Sequence, residues 1–205
     1  MISLVKEDTG LWIATINRPD KANSLTEAML DELAGIAEAA QGARALILTG
    51  AGRVFSAGAD LDEARAGLAT SAVWERLSHA IAALPGLTIA ALNGTLAGGA
   101  NGMALACDLR VAVPTAKFFY PVMKLGFLPQ PSDPARLAAL VGPARAKLIL
   151  MGGAKLSAQE AYHFGLVDQL VEDGDVLAAA RVLAADTLAA DPEVAAGIKA
   201  MCLSA

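Results

Sequence analysis

The chain is short of the residues that build metal centres, disulfide frameworks and nucleic-acid surfaces. Two cysteines and two histidines in 205 residues supply no ligand cluster for a metal ion and no disulfide scaffold. Cys107 lies in an apolar helical stretch, where a free buried thiol is the ordinary state. Charged residues make up 18% of the chain, below the usual share of about 25%, and the net charge is −5. That acidic balance argues against nucleic-acid binding, which needs a basic face. The chain also lacks a dinucleotide fingerprint. Its first residues, MISLVKEDTG, lack the basic-then-apolar layout of a secretory signal, which predicts a cytoplasmic protein.

One apolar run is long enough to span a bilayer. Between Leu77 and Cys107 the single ionisable residue is His79. Pro85, Asn93, Asn101 and the glycines at 86, 94, 98, 99 and 102 interrupt it, and hydrocarbon penalises such backbone unless protein covers it. The run therefore predicts a buried strand, a glycine-rich turn and a buried helix, with no membrane contact. His79 itself reads as a solvated helix residue.

What the chain does hold is apolar: 55% of it is hydrophobic. This implies a large core in one domain spanning residues 1–205, with apolar surface left over for a homo-oligomer. Residues 2–6 and 11–16 alternate around Asp8-Thr9-Gly10 as a β-hairpin. Ser24, with Glu27 three residues on, predicts a capping box opening a helix through Ala40. Strands are expected at 44–49, 87–92, 108–113 and 117–119, with a short one at 167–171. Helices are expected at 72–84, from the second glycine-rich loop through Ala106, and at 134–141, 143–151, 157–164 and 174–190, with an exposed, charged, alanine-rich segment at 61–68. Strands alternate with helices in the first half and helices dominate the second, an α/β layout.

Two glycine-rich stretches stand out, Phe55-Ser56-Ala57-Gly58-Ala59-Asp60 and Ala97-Gly98-Gly99-Ala100-Asn101-Gly102. Each follows an apolar run and opens toward a helix. Small residues there let the backbone approach a ligand and aim N–H groups at it. Two such donors converging on one oxygen would stabilise developing negative charge. The alternative is glycine turns that serve close packing alone.

The segments NRPDKANSL, FSAGADL, the GG turn closing on ALACDLRVA, MKLGFLP, and the tail from Gly142-Pro143 to Val167-Asp168 occur in order along nearly the whole chain. Together they resemble the crotonase superfamily, the enoyl-CoA hydratase/isomerase group. The resemblance implies a spiral of ββα units over residues 1–133, followed by a mostly helical 134–205, assembled as trimers or hexamers. It implies an acyl-CoA thioester as substrate, while the missing ligand cluster and dinucleotide fingerprint imply no metal or redox cofactor. The backbone N–H groups of Ala59 and Gly99 would hold the thioester oxygen, flanked by Ala57, Gly58 and Gly98. Lys21 would approach the nucleotide phosphates, a role suited to a mobile point charge, with Ala22 and Leu25 near the adenine or pantetheine. A surface lysine in a loop can equally be only solvated. Asp60 and Leu61 would line the entrance, Asp60 being equally a candidate helix N-cap. Pro121, Val122, Leu125 and Gln130 would be substrate-binding residues.

The chain departs from the family at the proton-handling positions. Hydratases of this group carry two glutamates, and their positions hold Gly102 and Val122. Hydration without either is doubtful, because general acid–base help is worth about 10²–10⁴ in rate. The position that is acidic in some isomerases and dehalogenases is Gln130. Asp133 is the remaining acid–base candidate, although aspartate before Pro134 also predicts an N-cap with proline at N1. Tyr120 is a possible hydroxyl donor to the acyl pocket or a packing residue. Asp62 and Glu63 read as solvated. Relatives generally continue beyond the segment matching Pro192–Leu203, which implies a more open site or cover from a neighbouring subunit. The alternative to an isomerase or hydratase-like enzyme is a homologue that binds acyl-CoA without chemistry.

Overall fold

A computed structural model describes residues 1–172 and 174–203. The expected hairpin pairs β1 (Ile2–Lys6) with β2 (Leu11–Ile16), Ile2 opposite Ile16. Helix α1 (Glu27–Ala39) then returns the chain to β3 (Ala45–Gly50), parallel to β2. The cap of α1 corrects the expectation. Thr26, not Ser24, is the N-cap and accepts from the Met29 N–H, while the Ser24 hydroxyl is taken by the Arg18 guanidinium.

From here the chain repeats one move. A strand of the first sheet leads into a short strand of a second sheet and then a helix, through a glycine-rich turn in the first two repeats and through Tyr120-Pro121 in the third. β3 passes to β4 (Val54–Ser56) and α2 (Leu61–Arg65), then α3 (Val73–Ala82). β5 (Leu87–Leu92) passes to β6 (Thr95–Ala97) and α4 (Asn101–Ala106). β7 (Leu109–Ala112) passes to β8 (Lys117–Phe119) and the four-residue α5 (Val122–Leu125). The second half holds α6 (Asp133–Val141), α7 (Pro143–Leu150), β9 (Leu156–Ser157), α8 (Ala158–Phe164), β10 (Gln169–Leu170), α9 (Val176–Ala189) and α10 (Pro192–Leu203).

The larger sheet has the order β1-β2-β3-β5-β7-β10, parallel except for the first hairpin, and the smaller β4-β6-β8-β9. Successive strands thus climb through two sheets as a spiral. β3 and β5 are covered on both faces, which explains their unbroken apolar runs. Ile47, Ile89 and Leu92 are sealed from solvent, as are Leu30 of α1 and Ile81 of α3. Each such side chain contributes about 1.5–3 kcal/mol relative to exposure. The apolar run 77–107 is divided among α3, β5, β6 and α4, and no helix among the described residues is long and apolar enough to cross a membrane.

Candidate active site

The two glycine-rich turns are brought together by strand register. Ser56 of β4 pairs with Leu96 of β6 in parallel, so equal steps beyond that pair bring 58 beside 98 and 59 beside 99. Gly58 and Gly98 both have positive φ, 91° and 58°. They touch back to back: a Cβ on Gly58 would lie 2.9 Å from the Ala97 carbonyl and 3.3 Å from the Gly98 Cα. A side chain at Gly58 would push the turns apart, whereas at Gly98 the nearest atom is 3.5 Å away and the positive φ alone disfavours one.

The first turn is held from below by Asn23, a fully buried residue at φ 53°. Its Oδ1 accepts from the Arg18 N–H, and its Nδ2 donates to the carbonyls of Ala51 and Val54. The Ser56 hydroxyl donates to the Asn23 carbonyl and accepts from the Gly58 N–H. Leu25 then brackets Ala59: its N–H donates to the Gly58 carbonyl, and its carbonyl accepts from the Asp60 N–H. In a parallel bridge the bracketed residue turns its own N–H to the other side. Ala59 itself lines the cavity described below.

In the second turn, Gly99 stands at the start of the helical run Gly98–Ala106, where the leading N–H groups have no partner within the helix. Its Cα rests on the Trp74 indole, and a Cβ there would lie 3.2 Å from the ring. Trp74 is anchored by donating from Nε1 to the Leu68 carbonyl at 2.8 Å. Asn101 fastens the turn to β8, donating from Nδ2 to the carbonyls of Gly98 and Phe119.

Both turns face one cavity of about 460 Å³. Among the expected site residues Ala57, Ala59, Gly98 and Gly99 line it, as do Leu61, Pro121, Val122, Leu125 and Gln130. Trp74, Phe127 and Leu128 complete an apolar wall. Trp74 went unnoticed in the sequence because an indole on the buried face of an amphipathic helix looks like core. Lys21 is exposed and does not line the cavity, and Ala22 is half-buried, its carbonyl accepting from the N–H of cavity-lining Ala57. Leu25 does not offer its side chain to a ligand. It is sealed in the core, and its part in the site is backbone. Asp60 caps α2 through the Asp62 N–H and accepts from Arg18 Nη1 at 2.8 Å. That guanidinium holds its carboxyl below the usual range. Glu63, expected to be solvated, instead accepts from the Glu27 N–H. His79 is exposed, as expected.

Asp133 departs most from expectation. It is the first residue of α6, the N-cap is Ser132, and neither side chain caps the helix. The carboxylate turns inward, fully buried, with Oδ2 accepting from the Tyr120 hydroxyl at 2.8 Å and Oδ1 without a partner. It does not line the cavity; Tyr120 does. Room for it exists because residue 102 is glycine: a Cβ there would lie 2.9 Å from Oδ1. Burial pushes Asp133 up to about 6, against the opposing pull of the Tyr120 hydroxyl and Arg136, with Glu75 adding to the rise. Burial and the adjacent carboxylate push the Tyr120 phenol up. Among the described residues, no group of His, Cys, Asp and Glu is arranged to hold a metal ion.

A spiral of ββα units with paired glycine turns over an apolar cavity defines the crotonase fold, and comparison with known proteins agrees. The pattern of the Enoyl-CoA hydratase/isomerase family matches residues 6–203, and the chain belongs to that family. It is 38% identical over 172 residues to a probable enoyl-CoA hydratase of Rhodobacter capsulatus, covering 81% of this chain and 67% of that protein. It is 33% identical over 203 residues to the 1,2-epoxyphenylacetyl-CoA isomerase of Escherichia coli, covering 93% and 77%. The crystal structure of an enoyl-CoA hydratase from Bacillus anthracis superposes with a TM-score of 0.89 at 33% identity, covering 97% of this chain and 80% of that one.

Proposed function

We propose that the cavity binds an acyl-CoA thioester with its carbonyl oxygen between the N–H groups of Ala59 and Gly99, and that it stabilises the enolate formed from it. The observation that carries this reading is the matched register of the two turns, which sets both residues on one apolar cavity. A preorganised backbone donor of this kind is worth about 10²–10³ in rate. The chemistry favoured is double-bond isomerisation rather than hydration. The positions that the family resemblance assigns to glutamates hold Gly102 and Val122, so no carboxylate is set to activate water. Lys21 meets the CoA phosphates, and Lys21→Ala raises KM while sparing kcat. The exposed apolar rim of Leu61, Leu125 and Leu128 supports a homo-oligomer with these residues near its contacts.

The second reading is a binding protein without turnover, favoured by the seclusion of Asp133 from the cavity. Kinetics separate the two: conversion of a 3-enoyl-CoA to its conjugated isomer, beside hydration of crotonyl-CoA and calorimetric binding of butyryl-CoA. Isomerisation with little hydration supports the enzyme. Tight binding with no turnover supports the second reading, and absence of binding overturns both.

A further inference from the structure

The fold maintains at some cost a feature the oxyanion reading does not use. Asp133 is a sealed carboxylate with one oxygen unpartnered, an arrangement that costs free energy. It lies over the gap left by Gly102 on α4, one residue layer behind the second glycine turn. Its one side-chain partner is Tyr120, which lines the cavity and continues the register of β8 beside Gly98, because Ala97 pairs with Phe119. The other polar side chains on the cavity wall are Arg65 and Gln130.

We propose that Tyr120 is the group that moves the substrate proton, and that Asp133, acting through it, is where that proton resides. The inference rests on the thioester reading of the cavity. In the forward step the C–H bond at the α-carbon of a 3-enoyl thioester breaks, and its electron pair moves onto the carbonyl oxygen as the enolate. Tyr120 Oη takes the proton while its own O–H proton passes to Asp133 Oδ2. In the return step Asp133 gives the proton back to Tyr120 Oη, and Tyr120 delivers a proton to the γ-carbon. The enolate pair re-forms the carbonyl, and the double bond shifts to the α,β position. The phenol stays neutral throughout, so its high pKa is no obstacle. The groups facing Asp133 are Tyr120, Glu75 of α3 and Arg136 of α6, while α4 presents the bare Gly102.

The test uses the intact chain with a 3-hexenoyl-CoA substrate. Tyr120→Phe and Asp133→Asn are each expected to lower kcat by about 10²–10⁴, and the double variant no further, because the two act as a unit. Butyryl-CoA binding stays within about threefold of the parent. The parent's rate falls below about pH 6, and the residual rate of Asp133→Asn shows no such fall. Full activity in Tyr120→Phe, or additive losses, overturns the relay while retained binding leaves the thioester reading standing. Parent protein that binds butyryl-CoA without turning over substrate overturns the relay as well, and failure to bind removes both. Should a variant not fold, the parent alone decides: a primary isotope effect on α-deuterated substrate accompanied by a solvent isotope effect supports the relay, because the phenol proton is the exchangeable one that moves, and a substrate effect with no solvent effect overturns it.

Discussion

Arg18 and Asp60 stand 42 residues apart and are joined by an ion pair of 2.8 Å. The same guanidinium nitrogen donates to the carbonyl and hydroxyl of Ser24, so one side chain ties the loop before α1 to the residue after Ala59. Arg18→Gln is expected to raise KM and lower kcat together, reducing kcat/KM by about 10–10², because small misplacements of a reacting group are expensive. The pair lowers the folded pKa of Asp60, so its contribution is present above the unfolded value and lost as pH falls through the folded one. Rates of this variant relative to the parent therefore stay constant from pH 6 to 8. A ratio that varies across that range contradicts the assignment.

Gly58 has a positive φ and also a carbonyl in the path of any side chain. Gly142, between α6 and α7, shares the positive φ but has nothing within 4 Å. Both alanine variants carry a backbone strain of about 1–3 kcal/mol. Gly58→Ala alone is expected to misdirect the Ala59 N–H and lose about 10²–10³ in kcat. Equal kcat in the two variants, measured beside their denaturation midpoints, contradicts the role given to the turn.

Asp133 predicts an inverted pH dependence of stability. Its folded value of about 6 exceeds the ordinary 3.8, so folding favours the protonated form. The burial penalty is absent below the ordinary value, grows as pH rises toward 6 and is complete above it, reaching ~3 kcal/mol. Asp133→Asn, neutral at every pH, is expected to be more stable than the parent by ~1–3 kcal/mol at pH 8 and about equal at pH 4. Chemical denaturation at both pH values measures it, and a variant weaker than the parent at pH 8 refutes it. A stabilising loss of a side chain is common where function sets the residue.

Arg110 is buried and donates to the carbonyls of Cys107 and Leu166 as well as to Asp168. Asp168 in turn accepts from the Arg110 backbone N–H, joining β7 to the segment before β10. Asp168 is itself solvent-exposed and Arg110 keeps its carbonyl acceptors, so Asp168→Ala is expected to cost ~1–3 kcal/mol, the range of a charge-assisted hydrogen bond. Combining it with Arg110→Met is expected to cost less than the sum of the single changes, a coupling that a double-mutant cycle reads directly.

The strands and helices of the spiral were largely legible because periodicity and turn residues act locally. β5 and β7 fall within the expected apolar runs, β3 passes its run by one residue at Gly50, and α4 begins inside the second glycine-rich stretch, at Asn101. The short β4, β6, β9 and α5 were missed, since two to four residues carry no periodic signal. Ser24 and Thr26 are chemically equivalent caps, and the choice between them went to Thr26 because Arg18, reaching toward Asp60, occupies Ser24. Asp133 carries the local signature of an N-cap, yet its side chain turns inward to a phenol 13 residues upstream over a glycine on another helix.

Composition and motif order were enough to establish an α/β chain of this family with two turns rich in backbone donors. Glycine and alanine at 58, 59, 98 and 99 leave the backbone as the chief polar group in those turns. Which residues of those turns share one cavity was decided by the pairing of β4 with β6 and by the bracketing of Ala59 by Leu25, contacts between segments tens of residues apart. The same holds for the acid. A carboxylate is visible in any sequence, but its surroundings set whether it caps, solvates or handles a proton. Those surroundings, Gly102 beneath it and Tyr120 beside it, exist only once α4, β8 and α6 are packed together.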